Sequence, residues 1–195
     1  MNRLTTLIIT AAILGICSVL VGQIFSISIL NLIGIIFLSD AGILIGVEAI
    51  RKRIFLEKSH YNRKETETYI GLAAIIRGIL VILLGLFLST IAILVYFDIG
   101  QPILLYFVHR PGILLIISGF YFLLTALSTI LGYAEQRQGP KWNVFLELIA
   151  GRMLPGIILL VISLITIGLS VVEIVAPEYF DKMGGGLLEL LFRPN

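Results

Sequence analysis

Ionisable side chains inside long apolar runs are the residues of this chain that could do chemistry. Asp40 lies in one such run, and Arg77 lies in the next. Charged groups in a membrane interior are rare and costly, so each one is a candidate for a functional site. The full candidate set is Asp40, Glu48, Arg77, Glu147 and Arg152.

The positions of Asp40 and Arg77 suggest that the two side chains meet. Asp40 lies about ten residues before the end of its run, and Arg77 lies about eight residues into the next. A helical rise of 1.5 Å per residue then gives depths of roughly 15 Å and 12 Å. We expect Arg152 at a comparable level, with Glu147 and Glu48 nearer the inner mouth of the cluster.

Two interpretations of this charge cluster remain open from the residues. In the first, the charges neutralise one another and fix the register of the helices, since an ionised carboxylate in a low dielectric needs a partner. In the second, the cluster forms a proton or anion pathway in which Asp40 changes its protonation state. The structural interpretation is favoured, although no residue pattern separates the two.

The composition defines the environment in which these charges lie. The chain has 195 residues, of which 58% are hydrophobic and only 13% are charged. Soluble domains carry about 25% charged residues, so this balance indicates an integral, multi-pass membrane protein. The net charge of +2 does not indicate nucleic-acid binding, because the basic residues are concentrated in one loop.

Five apolar segments are each long enough to cross a hydrocarbon layer of about 30 Å. The sequence therefore predicts an all-α bundle of about five transmembrane helices within residues 1–176. The predicted spans are residues 4–24, 27–50, 69–97, 111–133 and 144–175. Residues 177–195 form a short tail, for which an interfacial position is favoured.

The loop at residues 51–68 determines the predicted orientation. It contains six basic residues, and cytoplasmic loops carry an excess of lysine and arginine. We therefore expect a cytoplasmic loop, a cytoplasmic N terminus and a location in the plasma membrane. The basic residues are Arg51, Lys52, Arg53, Lys58, Arg63 and Lys64.

Gly42 and Gly46 form a small-xxx-small pattern that permits close contact between helices. On an ideal helix, the Asp40 side chain is rotated about 200° from Gly42, so the acidic and glycine faces differ. Packing of this face against another span of the same chain is favoured over dimerisation.

Motifs of the common enzyme classes are absent from the sequence. It contains no H-E-x-x-H, C-x-x-C, G-x-S-x-G or phosphate-binding loop. The single cysteine, Cys17, excludes an intrachain disulfide, and the two histidines are predicted on opposite sides of the membrane. We therefore expect neither an enzyme nor a metal site, and no cofactor.

A weak internal repeat relates three segments, beginning Arg77-Gly78-Ile79-Leu80, Arg110-Pro111-Gly112-Ile113 and Pro155-Gly156-Ile157-Ile158. Duplication of helical hairpins would explain it, and so would chance in a chain so rich in leucine, isoleucine and glycine. Over residues 77–176 the pattern resembles the hairpin repeats of HdeD-like membrane proteins. That resemblance implies six spans and a link to acid stress, whereas this chain has five predicted spans.

Small size and the lack of catalytic motifs favour a non-enzymatic accessory subunit or scaffold in a membrane. The alternative is a small transporter or proton-coupled channel that uses Asp40 and Arg77. The expected partners are the lipid bilayer and either other membrane-protein subunits or further copies of the chain, without nucleic acid.

Overall fold

The structure, a computed structural model, describes residues 3–58, 66–132, 145 and 148–182. Most of these residues are helical. In chain order the elements are α1 (Arg3–Ile24), α2 (Ser28–Lys52), β1 (Ile54–Lys58), β2 (Thr66–Ile70), α3 (Leu72–Tyr96), α4 (Gly100–His109), α5 (Gly112–Leu131), a π-helical segment (Ile149–Met153), α6 (Leu154–Val175) and α7 (Pro177–Phe180).

Five helices among the described residues are long and apolar enough to cross a membrane. This confirms the predicted all-α helical bundle with five candidate spans. Their bounds are Leu4–Ile24, Ser28–Lys52, Leu72–Tyr96, Gly112–Leu131 and Ile149–Val175. We therefore treat the chain as a multi-pass membrane protein.

The chain divides into two compact units. The first comprises Met1–Ile99 with Leu131–Phe145, and the second comprises Gly100–Ile130 with Leu146–Asn195. The first unit contains α1, α2, both strands and α3. The second contains α4, most of α5, the π-helical segment, α6 and α7.

Antiparallel helices in the first unit approach one another at glycines. A Cβ added to Gly15 of α1 would lie 2.9 Å from the carbonyl oxygen of Gly34 on α2. Between α2 and α3, a Cβ on Gly46 would lie 2.5 Å from the Gly78 carbonyl oxygen, and one on Gly78 would lie 2.6 Å from that of Gly46. No larger side chain fits at these contacts without moving a helix.

Small buried residues recur at every seventh position along three helices. Seven residues make two turns of 3.5 residues, the period that keeps one seam facing a partner in a left-handed pair. Association in a membrane depends on close packing at such residues, because lipid is as apolar as leucine. The series are Gly78, Gly85 and Ala92 in α3, Gly112, Gly119 and Ala126 in α5, and Gly156, Ser163 and Ser170 in α6.

In the second unit, α5 and α6 form an antiparallel pair along these series. The Ser163 hydroxyl donates a hydrogen bond to the Gly119 carbonyl oxygen at 2.9 Å, and Ser170 donates to that of Gly112 at 2.7 Å. Both hydroxyls are buried. At the other end of the pair, a Cβ on Gly156 would lie 2.5 Å from Ile130 Cγ1.

A β-hairpin connects α2 to α3, where the sequence predicted a loop and the start of the third span. Strands β1 and β2 pair antiparallel, with Ile54 opposite Ile70 and Leu56 opposite Thr68. β-branched and apolar residues at alternate positions favour strands, although the charges of this segment made it read as a loop. At the base, the Gly71 amide donates to the Arg53 carbonyl oxygen at 2.9 Å.

Gly71 also sets the entry into α3. Its backbone has φ +66° and ψ −125°, a conformation essentially restricted to glycine. Arg53, at the other side of the hairpin base, is in the left-handed region with φ 53°. The hairpin is therefore held at both ends by the backbone that leads into the two helices.

Candidate functional site

Asp40 lies at the middle of α2, and its side chain is exposed. Within the described part of the chain it makes no hydrogen bond and no ion pair. Ile33 and Val47, seven residues to either side, are also exposed, at 38% and 43%. The three residues form a stripe on the outside of the first unit, with the carboxylate at its centre; we call it the Asp40 stripe.

Arg77 contacts the β-hairpin. Its Nη2 donates a hydrogen bond to the Tyr69 hydroxyl at 3.1 Å, and its Cζ lies 4.7 Å from the centre of the Tyr69 ring. Tyr69 is buried with Ala73 and Ala74, and Phe55 packs against this cluster. The Arg77 side chain thus points back toward the N-terminal end of α3, as long basic side chains do near the ends of membrane helices.

The register of α2 and α3 separates Asp40 from Arg77. The carbonyl of Ser39, the neighbour of Asp40, lies beside Gly85, whereas Gly78, the neighbour of Arg77, lies beside Gly46. Seven residues along a helix correspond to about 10 Å. Asp40 is also on the exposed face, so the structure does not bring these two charges together.

Glu48, expected near the inner mouth of the cluster, pairs with a residue of its own helix. It forms an ion pair with Lys52, one turn later in the last turn of α2. The Lys52 side chain is half exposed. A pair of this kind contributes only about 0.3–0.5 kcal/mol to helix stability.

Arg152 belongs to the second unit and is half-buried in the π-helical segment. Glu147 lies outside the described residues. The π-helical segment ends two residues before Pro155, whose ring and missing amide disturb the turn that precedes it. Such single-turn π segments accommodate an extra residue and occur frequently at functional sites.

The two glycines of the small-xxx-small pattern lie in unlike surroundings. Gly46 is buried against Gly78 and Ile82 of α3. No heavy atom lies within 4 Å of a Cβ built on Gly42. Gly46 therefore has a packing role within the chain, and Gly42 faces open space.

Glu173 is a buried carboxylate outside the predicted candidate set. Its side chain, 6% exposed, lies 3.8 Å from Nη1 of Arg110, which is largely exposed. A Cβ at Gly112, the first residue of α5, would collide with the Glu173 carboxylate. Negative charge is favourable at a helix N terminus. The Glu173 carboxylate therefore stabilises the contact between the end of α6 and the start of α5.

A sequence signal for Glu173 existed. Like Asp40, the residue is an ionisable group inside a predicted span, in this case the fifth. Its position two residues before the end of α6 places it near a membrane boundary, next to the start of the preceding span. Tyr69, the partner of Arg77, gave no comparable signal, because its position depends on the strand pairing.

Chemically, the described residues offer charge pairing and hydrogen bonding. Among them, no group of three or more His, Cys, Asp and Glu side chains could hold a metal ion. The chain matches no protein-family model, and no curated protein or solved structure is significantly similar to it.

Proposed function

We propose that this chain is a non-enzymatic accessory subunit of a membrane assembly, which another membrane protein contacts along the Asp40 stripe. The observation that carries the proposal is the exposed Asp40 carboxylate at the middle of an apolar helix. A scaffold role within a larger assembly is the same proposal with more than one partner.

The cost of a carboxylate in lipid supports a partner. Insertion measurements place aspartate at a helix centre about 2.5–3.5 kcal/mol above the apolar reference. A lysine, arginine or hydrogen-bond donor on a neighbouring helix at the same depth offsets this cost. Ile33 and Val47 flank the carboxylate at the seven-residue spacing along which a second helix packs.

The proposed orientation has a cytoplasmic N terminus in the plasma membrane. The six basic residues of residues 51–68 support it through the positive-inside rule. Labelling of a cysteine placed at Phe97 or Asp98 with a membrane-impermeant reagent tests it in intact cells. Labelling from outside is expected, because this turn follows α3 on the side opposite the hairpin.

The subunit proposal is tested by purification in a mild detergent, with the particle mass read by native mass spectrometry. The wild-type chain should be recovered with a partner, and Asp40→Leu should be recovered largely without it. Asp98→Asn is the matched control, because it removes one exposed carboxylate at a turn where asparagine tolerates the positive φ of 56°.

Two outcomes would contradict the proposal. If the wild-type chain is recovered as a lone monomer and Asp40→Leu gives the same particle mass, no partner binds at the Asp40 stripe. An Asp40→Asn variant that gives the same particle mass as the wild-type chain but loses proton-dependent flux in proteoliposomes would favour the transporter alternative.

A further inference from the structure

Three exposed apolar residues stand on the outer face of the β-hairpin, near its base. Side chains of directly opposed residues share a face of a sheet, so Ile54, Leu56, Thr68 and Ile70 lie together on one side. The three apolar residues are exposed, Leu56 by as much as 65%, Thr68 is half-buried, and the adjoining Leu72 is exposed as well. We call Ile54, Leu56 and Ile70 the outer hairpin face.

The opposite face of the hairpin is fixed to α3. Phe55 and Tyr69 stand opposite each other, with ring centres 6.4 Å apart, and Tyr69 is buried against Ala73 and Ala74. Arg77 adds its hydrogen bond to the Tyr69 hydroxyl. Since these contacts hold the inner face, the hairpin cannot turn its apolar outer face inward.

Basic residues stand at the base of the outer hairpin face. Arg51 and Arg53 are exposed and immediately precede β1. Lys52 between them is paired with Glu48. An exposed apolar surface next to arginines matches the membrane interface, where apolar side chains enter the headgroup boundary and basic side chains attract anionic lipid.

We infer that the outer hairpin face lies in the headgroup region of the bilayer, and that Arg51 and Arg53 concentrate anionic lipid around it. The hairpin is continuous with the ends of α2 and α3, both candidate spans. It therefore begins where these helices leave the hydrocarbon layer. Acidic lipid headgroups are complementary in charge to the two arginines. The leucine and the two isoleucines are apolar and match the acyl boundary of the same lipids.

The experiment uses the full-length chain in proteoliposomes with a single tryptophan at the outer face. Trp142 is the only tryptophan in the sequence, so Leu56→Trp is combined with Trp142→Phe. Fluorescence is quenched by brominated phosphatidylglycerol or by brominated phosphatidylcholine, in bilayers that contain both lipids. Phe55→Trp in the same background is the matched control on the inner face.

The expected result is strong quenching of the position-56 tryptophan by both brominated lipids, with phosphatidylglycerol enriched over its bulk fraction. Arg51→Gln with Arg53→Gln should reduce that enrichment, by at most about fivefold per residue removed. High salt should reduce it as well. The position-55 tryptophan should be quenched less by either lipid.

Three outcomes would overturn the inference. Red-shifted emission that responds to acrylamide but not to brominated lipid would place the outer hairpin face in water. Blue-shifted emission without lipid quenching would mean that protein covers it, either a second copy or another chain. Equal quenching by both lipids, unchanged by the arginine substitutions, would remove the selection for anionic lipid.

Discussion

The pair α2–α3 in the first unit and the pair α5–α6 in the second use small residues in different ways. In α2–α3, glycine meets glycine, and the carbonyl oxygens of Gly46 and Gly78 occupy the space that a Cβ would need. In α5–α6, serines replace two of the glycines, and their hydroxyls bind the backbone of the partner helix. Both pairs are antiparallel and follow a seven-residue period.

This difference separates two ways of joining helices in lipid. The first pair depends on contact distance alone, since the described contact at Gly46 and Gly78 offers only backbone and apolar atoms. The second adds directional bonds at Ser163 and Ser170, with the Glu173–Arg110 pair at one end. Substitutions should therefore damage the first pair through bulk and the second through lost polar partners.

The largest effect is expected for Gly46→Val. Its side chain would overlap the Gly78 carbonyl oxygen and Ile82, and overpacking of this kind costs about 1–3 kcal/mol. The free energy of unfolding in mixed detergent micelles measures it, and hydrogen exchange should rise in α2 and α3. Gly42→Ala is the control on the same helix and should be neutral or slightly stabilising. Equal loss in both variants would contradict the close-contact account.

In the second unit, Arg110→Gln should destabilise more than Glu173→Gln. Loss of the arginine leaves a buried carboxylate without its ion-pair partner, at a cost of about 1–2 kcal/mol. The glutamine at position 173 keeps the shape and removes the buried charge, so its cost should be less than half of that. The same unfolding measurement decides, and the reverse order would show that the carboxylate stabilises α5 by itself.

The smallest effects are expected at the serines. Ser163→Ala and Ser170→Ala should each cost about 0.6 kcal/mol, the average for hydrogen bonds between membrane helices. Thr166→Val is the control, because the Thr166 hydroxyl bonds to Ile162 of its own helix. A loss at Thr166 as large as at the serines would mean that the interhelical bonds contribute nothing specific.

Fold class and candidate spans followed from the sequence because hydrophobic length alone decides whether a helix can cross a membrane. Which face of each helix packs did not follow. A span that is apolar all round has no polar side to mark its exposed face. The seven-residue series of small residues carries this information, and part of it was visible in the repeat that begins at Arg77 and Arg110.

The candidate site was harder to predict, because the depth of a residue in the membrane does not determine which way its side chain points. Residue counts from the same loop give Asp40 and Arg77 similar depths if both helices reach the edge of the loop. In the structure the hairpin supplies Tyr69 as a partner of Arg77, and the helix register shifts Asp40 away. Strand pairing over a charged segment depends on tertiary contacts, which a local sequence pattern does not predict.

The π-helical segment at Ile149–Met153 sets the rotational phase of the span to which it belongs. Each residue of an α-helix turns the chain by about 100°, so the extra residue of this segment turns Leu148 relative to the face with Gly156, Ser163 and Ser170. Deletion of one residue here would rotate Leu148 by that angle and leave the α5–α6 contact in place.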